Sequence, residues 1–86
     1  MIAGPIAVVI DFYLQRPSSA PKRRTMPDRR PDLDKLVRST FDALTTASVI
    51  EDDARIVEIV ARKHYATSWC GARISVRPAD LAVSPE

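Results

Sequence analysis

The sequence predicts an α+β fold, a small mixed β-sheet covered by one main helix, and three observations carry that prediction. Residues 6 to 14 (IAVVIDFYL), 55 to 65 (RIVEIVARKHY) and 73 to 77 (RISVR) are short runs rich in β-branched residues, the composition of strands. Only residues 33 to 44 repeat apolar residues at helical spacing. Between the first strand and that helix lie Pro17, Pro21, Pro27 and Pro31, which deny the chain backbone donors and exclude a regular element.

At 86 residues the chain holds one small domain, whose modest core gains from a partner subunit. The hydrophobic content of 45% and charged content of 28% are those of a globular protein rather than a disordered one. A single cysteine, Cys70, and a single histidine, His64, exclude an internal disulfide and a Cys/His zinc site within one chain, and they fit a reducing cytoplasm. The opening MIAGPIAVVIDFYL lacks a basic leader and is interrupted by Asp11, so neither a signal peptide nor a membrane span is expected.

Taken in order, residues 6 to 14 are too apolar for a surface helix and predict a buried strand. Residues 15 to 31 form a basic, proline-rich loop with Lys22, Arg23, Arg24, Arg29 and Arg30. Asp32 stands at the N-cap position of the helix, its carboxylate able to accept from first-turn amides. Leu33, Leu36, Val37, Phe41 and Leu44 share one arc of that helix, while Asp34, Arg38 and Asp42 run down an adjacent face at i, i+4 and i+8. Thr45 to Ser48 end the helix. Glu51, Asp52 and Asp53 repel one another unless solvated, paired or sharing a cation. In the strand after them, Val57, Ile59 and Ala61 are expected on one face and Ile56, Glu58, Val60 and Arg62 on the other. A turn at residues 67 to 72 should return residues 73 to 77 as a hairpin, and residues 78 to 86 read as a loose tail. Tyr65 and Trp69 could stack on nucleobases, but their ordinary role is packing.

Charge is distributed unevenly. Residues 16 to 38 carry a formal charge of +5 and the remainder −3. A basic segment leading into an acidic cluster points to a polyanion gripped by the first and acted on at the second. Carboxylates at element ends are the raw material of a Mg²⁺ site. Spacing alone leaves that reading beside a plainer one, in which the aspartates cap the helix and pair with Arg38.

The stretch RPDLDKLVRSTFDALTTASVIEDDARIVEIVARK closely resembles the core of the RusA-type Holliday junction resolvases. Their hallmark runs approximately K/R-P-D-x-D-N-L-x-K-x-x-x-D-A-L, a spacer, D-D-x-x-V and a strand ending in lysine. The resemblance spans residues 4 to 77 and implies a single nuclease domain over residues 1 to 77, dimeric, with a RusA-like fold. It implies that Asp32, Asp34 and Asp53 bind Mg²⁺, which Mn²⁺ can replace, with Asp52 as a further candidate, and that Arg38 joins them in catalysis. Lys22, Arg23, Arg24, Arg29, Arg30, Lys35 and Lys63 would contact DNA. The implied partners are a branched, four-way DNA junction and a second copy of the chain, with no membrane and no small-molecule substrate, in the cytoplasm of a bacterium or phage-infected host. The implied activity is junction cleavage in recombination and repair. Two positions depart from the hallmark, Arg38 standing where the family has its catalytic lysine and Lys35 where it has asparagine. Arginine keeps the positive charge but does not readily give up a proton. Members of the family usually begin with another strand and a basic stretch before the GPIAVVI-like segment, on which Met1 almost falls here, so by the resemblance the chain is expected to be N-terminally short. Alternatives are a junction-binding protein without catalysis and a small structural interaction domain.

Overall fold

The computed structural model describes Ile2 and residues 4 to 79. Strand β1 (Ile6–Leu14) is followed by the proline-rich loop, helix α1 (Leu33–Thr46), a 3₁₀ turn (Asp53–Arg55), strand β2 (Ile56–Tyr65) and strand β3 (Gly71–Pro78). The three strands form one mixed sheet in the order β2-β1-β3. Of the tail expected over residues 78 to 86, Pro78 instead closes β3, and residues 80 to 86 lie outside the described residues.

The most apolar strand takes the middle. Ile6, Val8, Ile10 and Phe12 alternate toward the helix and, with Leu44 and Ile50, form the buried core. Leu33, Leu36, Val37 and Phe41, the apolar arc of α1, pack against that cluster. The alternate residues Val9, Asp11 and Tyr13 face the uncovered side of the sheet and are only half-buried. Thr40, the one buried polar residue of α1, donates its hydroxyl to the Leu36 carbonyl at 2.9 Å, so its burial costs no unpaired donor.

The loop and α1 form the crossover that lets β2 run parallel to β1. The last strand departs from the expected hairpin. Rather than returning beside β2, β3 crosses the end of β1 and pairs antiparallel with its opposite edge, from Ile6↔Pro78 to Tyr13↔Gly71. Both side strands thereby cover the apolar β1, which a β2–β3 hairpin would leave with one bare edge. The crossing turn requires Gly71, whose φ is +149° and whose missing Cβ would sit 2.7 Å from the Trp69 ring.

Strand β2 also departs from the expected alternation. A register irregularity between Ile6 and Ala7 lets Ile56 reach the core and leaves Val57 60% exposed. Beyond it, Ile59, Ala61 and Lys63 lie opposite Val8, Ile10 and Phe12 on the helix side, and Val60, Arg62 and His64 lie opposite Val9, Asp11 and Tyr13 on the uncovered side. No described helix is long and apolar enough to cross a membrane.

Candidate functional site

Helix α1 and the 3₁₀ turn bring their charged residues to one cleft. Asp34, Val37, Arg38, Phe41, Asp42 and Asp53 line a cavity of about 460 Å³. The i, i+4, i+8 spacing of Asp34, Arg38 and Asp42 places them along one side of the helix, and the turn before β2 adds Asp53 from the other wall.

The plainer reading of that helix face requires ion pairs around Arg38. Among the described residues Arg38 makes none, and neither do Asp34, Asp42 and Asp53. These charges face the cleft without ion-pair partners. Arg55, the basic residue nearest to Asp53 in sequence, is committed to Glu51 at 2.9 Å.

The adjacent aspartates have different fates. Asp52 caps the 3₁₀ turn, its carboxylate accepting from the Ala54 amide at 3.0 Å, and that bond holds its pKa below the usual carboxylate value. Asp53 is pushed above that value, first by its hydrogen bond with the Asp52 carboxyl, then by desolvation and by repulsion from Asp52 and Asp42. A carboxylate with raised pKa among others is one that a cation would relieve. Asp52, implied only as a further candidate ligand, is occupied as a cap.

Asp32 occupies the N-cap position by backbone geometry, with φ −69° and ψ 140°, but its side chain makes no capping bond. This corrects the expectation that its carboxylate holds the first-turn amides; the nearest cation is Lys35 Nζ at 3.9 Å. Its carboxylate is half exposed and does not line the Asp34–Asp53 cleft. No group of three His, Cys, Asp or Glu side chains among the described residues is gathered closely enough to hold a metal ion unaided. Asp34 and Asp53 are thus brought together, whereas Asp32 stands on the same helix start without joining them.

The basic residues divide similarly. Lys22, Arg23 and Arg30 are exposed and, among the described residues, free of ion pairs. Arg24 and Arg29 both approach Asp28, at 3.8 and 2.8 Å. Lys63 is committed elsewhere, its ammonium donating to the carbonyls of Arg29 at 2.8 Å and Pro31 at 2.9 Å.

Two features lie outside the residues expected at the site. The first is Asp42, a rung of the helix-surface ladder whose spacing from Asp34 puts it on the same face and in the same cleft. The second is a paired cluster on the uncovered face of the sheet. Arg62 grips Asp11 with two hydrogen bonds at 2.7 and 3.2 Å, and His64 Nε2 lies 2.7 Å from Asp11 Oδ1. His64 stacks on Tyr13, which meets Trp69 at a centroid distance of 5.2 Å. Nothing in the sequence spacing joins residues 51 to 53 positions apart; only the parallel register of β1 and β2 does. Trp69 packs here, with Arg73 above it, and Arg16 lies over Tyr65. Cys70 is exposed.

The family model described as "Endodeoxyribonuclease RusA" matches residues 1–77. Among curated proteins, none matches the chain.

Proposed function

Because the chain belongs to the RusA endodeoxyribonuclease family, whose members are Holliday junction resolvases, we propose that it is a metal-dependent, structure-selective endonuclease that cuts four-way DNA junctions at the cleft between α1 and the 3₁₀ turn. The observation that carries this reading is the set of unpaired charges in that cleft, Asp34 and Asp53 with Arg38 and Asp42. A helix surface made for stability would pair Arg38 with the acids one turn away. An acidic cleft also repels DNA, and its carboxylates suit a hard divalent cation through which a phosphate can approach.

The donor set fits Mg²⁺, or Mn²⁺ in its place. Asp34 and Asp53 would hold it, with Asp32 supplying a further carboxylate from the start of α1. When bound, the metal supplies Lewis acidity at the scissile phosphate and lowers the pKa of a coordinated water. The chain's own residues do the rest. Arg38 offsets charge developing on the phosphate, a role that needs its permanent guanidinium and no proton transfer. Asp42, at the far end of the cleft, adds negative potential that draws cations and keeps phosphate toward the Arg38 end. Lys22, Arg23, Arg30 and Lys35 grip the backbone without reading bases, with Arg24 and Arg29 adding to the positive potential that their shared Asp28 partly offsets. A homodimer would present two such sites to the symmetric arms of a junction, in the cytoplasm.

Cleavage of a labelled four-way junction beside a linear duplex, each with Mg²⁺ and with EDTA, tests the reading. Metal-dependent, junction-selective nicking is expected. Tight junction binding without nicking over hours would leave only a non-catalytic junction binder.

A further inference from the structure

Lys63 lies on β2 opposite Phe12, far in sequence from the loop that enters α1, yet it reaches across to that loop. Its ammonium donates to the carbonyls of Arg29 and Pro31, thereby fastening the 29–30 and 31–32 peptide planes on either side of the Arg30–Pro31 peptide. The Pro31 carbonyl belongs to the same peptide plane as the Asp32 nitrogen, so fixing it sets the direction in which the chain enters Asp32. Asp32 needs such support. Its side chain has no capping bond and no ion pair closer than the 3.9 Å approach of Lys35. The backbone alone therefore aims its carboxylate. The loop can offer no anchor of its own kind here, since Pro27 and Pro31 lack amide donors and regular pairing is absent from residues 15 to 32.

We propose that Lys63 is a positioning residue, a latch that holds the residue 29–31 strap to β2 and so fixes the backbone from which the Asp32 carboxylate projects at the start of α1, rather than a contact to DNA phosphate. An ammonium has three donors, and two are already spent on carbonyls. Gripping a phosphate would require giving those bonds up or relying on the third. The inference rests on the nuclease reading of the acidic site.

The test compares wild type with Lys63→Met and Lys63→Arg in two measurements made apart from turnover: Mn²⁺ affinity without DNA, by calorimetry, and junction affinity in EDTA at several salt concentrations. A latch predicts that Lys63→Met weakens Mn²⁺ binding by about tenfold, the range seen when groups supporting a ligand are removed. It also predicts unchanged junction affinity and salt dependence, and partial recovery of Mn²⁺ binding in Lys63→Arg, which can donate to both carbonyls. A Lys63→Met protein with weaker junction binding, a salt slope reduced by about one and unaltered Mn²⁺ affinity would overturn the proposal in favour of a phosphate contact. Unchanged values in both measurements would overturn it as well. Should Lys63→Met fail to fold, failure of the folded Lys63→Arg variant to bind Mn²⁺ better than Lys63→Gln would be decisive against it. Wild type that binds no Mn²⁺ and cuts no junction overturns the nuclease reading itself, and the latch with it, a result distinct from any in which wild type binds metal and only the variants differ.

Discussion

Two clusters of charge lie on opposite sides of this sheet, and they are built in opposite ways. On the uncovered face, Asp11 is gripped by Arg62 and His64, and those bonds, Arg62 first, hold its carboxyl well below the usual carboxylate range. On the helix side, Asp53 is pushed upward by Asp52 and Asp42, while Arg38 stands in the same cleft without an ion pair. The first cluster has satisfied itself, and its charges stabilise the fold. The second has been left unsatisfied by the protein, the arrangement expected where a cation and a phosphate complete the site. A sequence motif that lists aspartates does not separate the two kinds; hydrogen-bond partners do.

Mutations can break this contrast at either end. The largest effect is expected from Asp34→Asn, which should abolish junction cleavage while leaving the far-ultraviolet circular dichroism and the thermal midpoint near those of wild type. Arg38→Ala should slow cleavage by roughly a hundredfold or more, as loss of a group that stabilises developing charge does, whereas Arg38→Lys should retain activity. A smaller effect is expected from Asp52→Ala, which removes the cap on Ala54: the thermal midpoint should fall and metal affinity weaken only through loosening of the turn that carries Asp53. Asp11→Asn should lower the midpoint without a measurable change in cleavage.

The two clusters also give stability opposite pH dependences in metal-free protein. For Asp11, with a folded pKa below the unfolded value of 3.8, the folded state binds fewer protons than the unfolded one. Its stabilisation is therefore full above that value and is lost as pH falls below it through the folded pKa. For Asp53, with a folded pKa above 3.8, the folded state binds more protons, so its contribution falls as pH rises from 3.8 through the folded pKa. Urea midpoints measured from pH 3 to 7 should thus show Asp11→Asn flattening the acid-side loss. Asp53→Asn should remove a penalty at neutral pH, and Mg²⁺ should remove the same penalty from wild type alone.

Much of the architecture was legible in the residues. The bounds of β1 and the start of α1 follow from apolar runs and from Pro31–Asp32, because local composition and a fixed φ decide them. Sheet order was not legible: the β3 segment carries no mark of which neighbour it takes, and only the need to cover both edges of the apolar β1 places it there. The face assignment of β2 holds from Ile59 onward and fails only at its start, where one register irregularity beside Ala7 shifts Ile56 and Val57 against simple alternation. At the site, the pairing of Asp34 with Asp53 follows from the family's spacing, but the spending of Asp52 on a cap depends on local backbone angles. The engagement of Lys63 with the strap, and of Asp11 with Arg62 and His64, depends on tertiary register that no spacing encodes.

The most direct test sets the two clusters side by side: cleavage of one synthetic four-way junction by wild type, Asp53→Asn and Asp11→Asn at equal concentration, with Mg²⁺ and with EDTA. The expected result is Mg²⁺-dependent cutting by wild type and by Asp11→Asn, and none by a fully folded Asp53→Asn. Cutting by Asp53→Asn at the wild-type rate, or loss of cutting in a folded Asp11→Asn, would contradict the assignment of the helix-side cleft as the catalytic site.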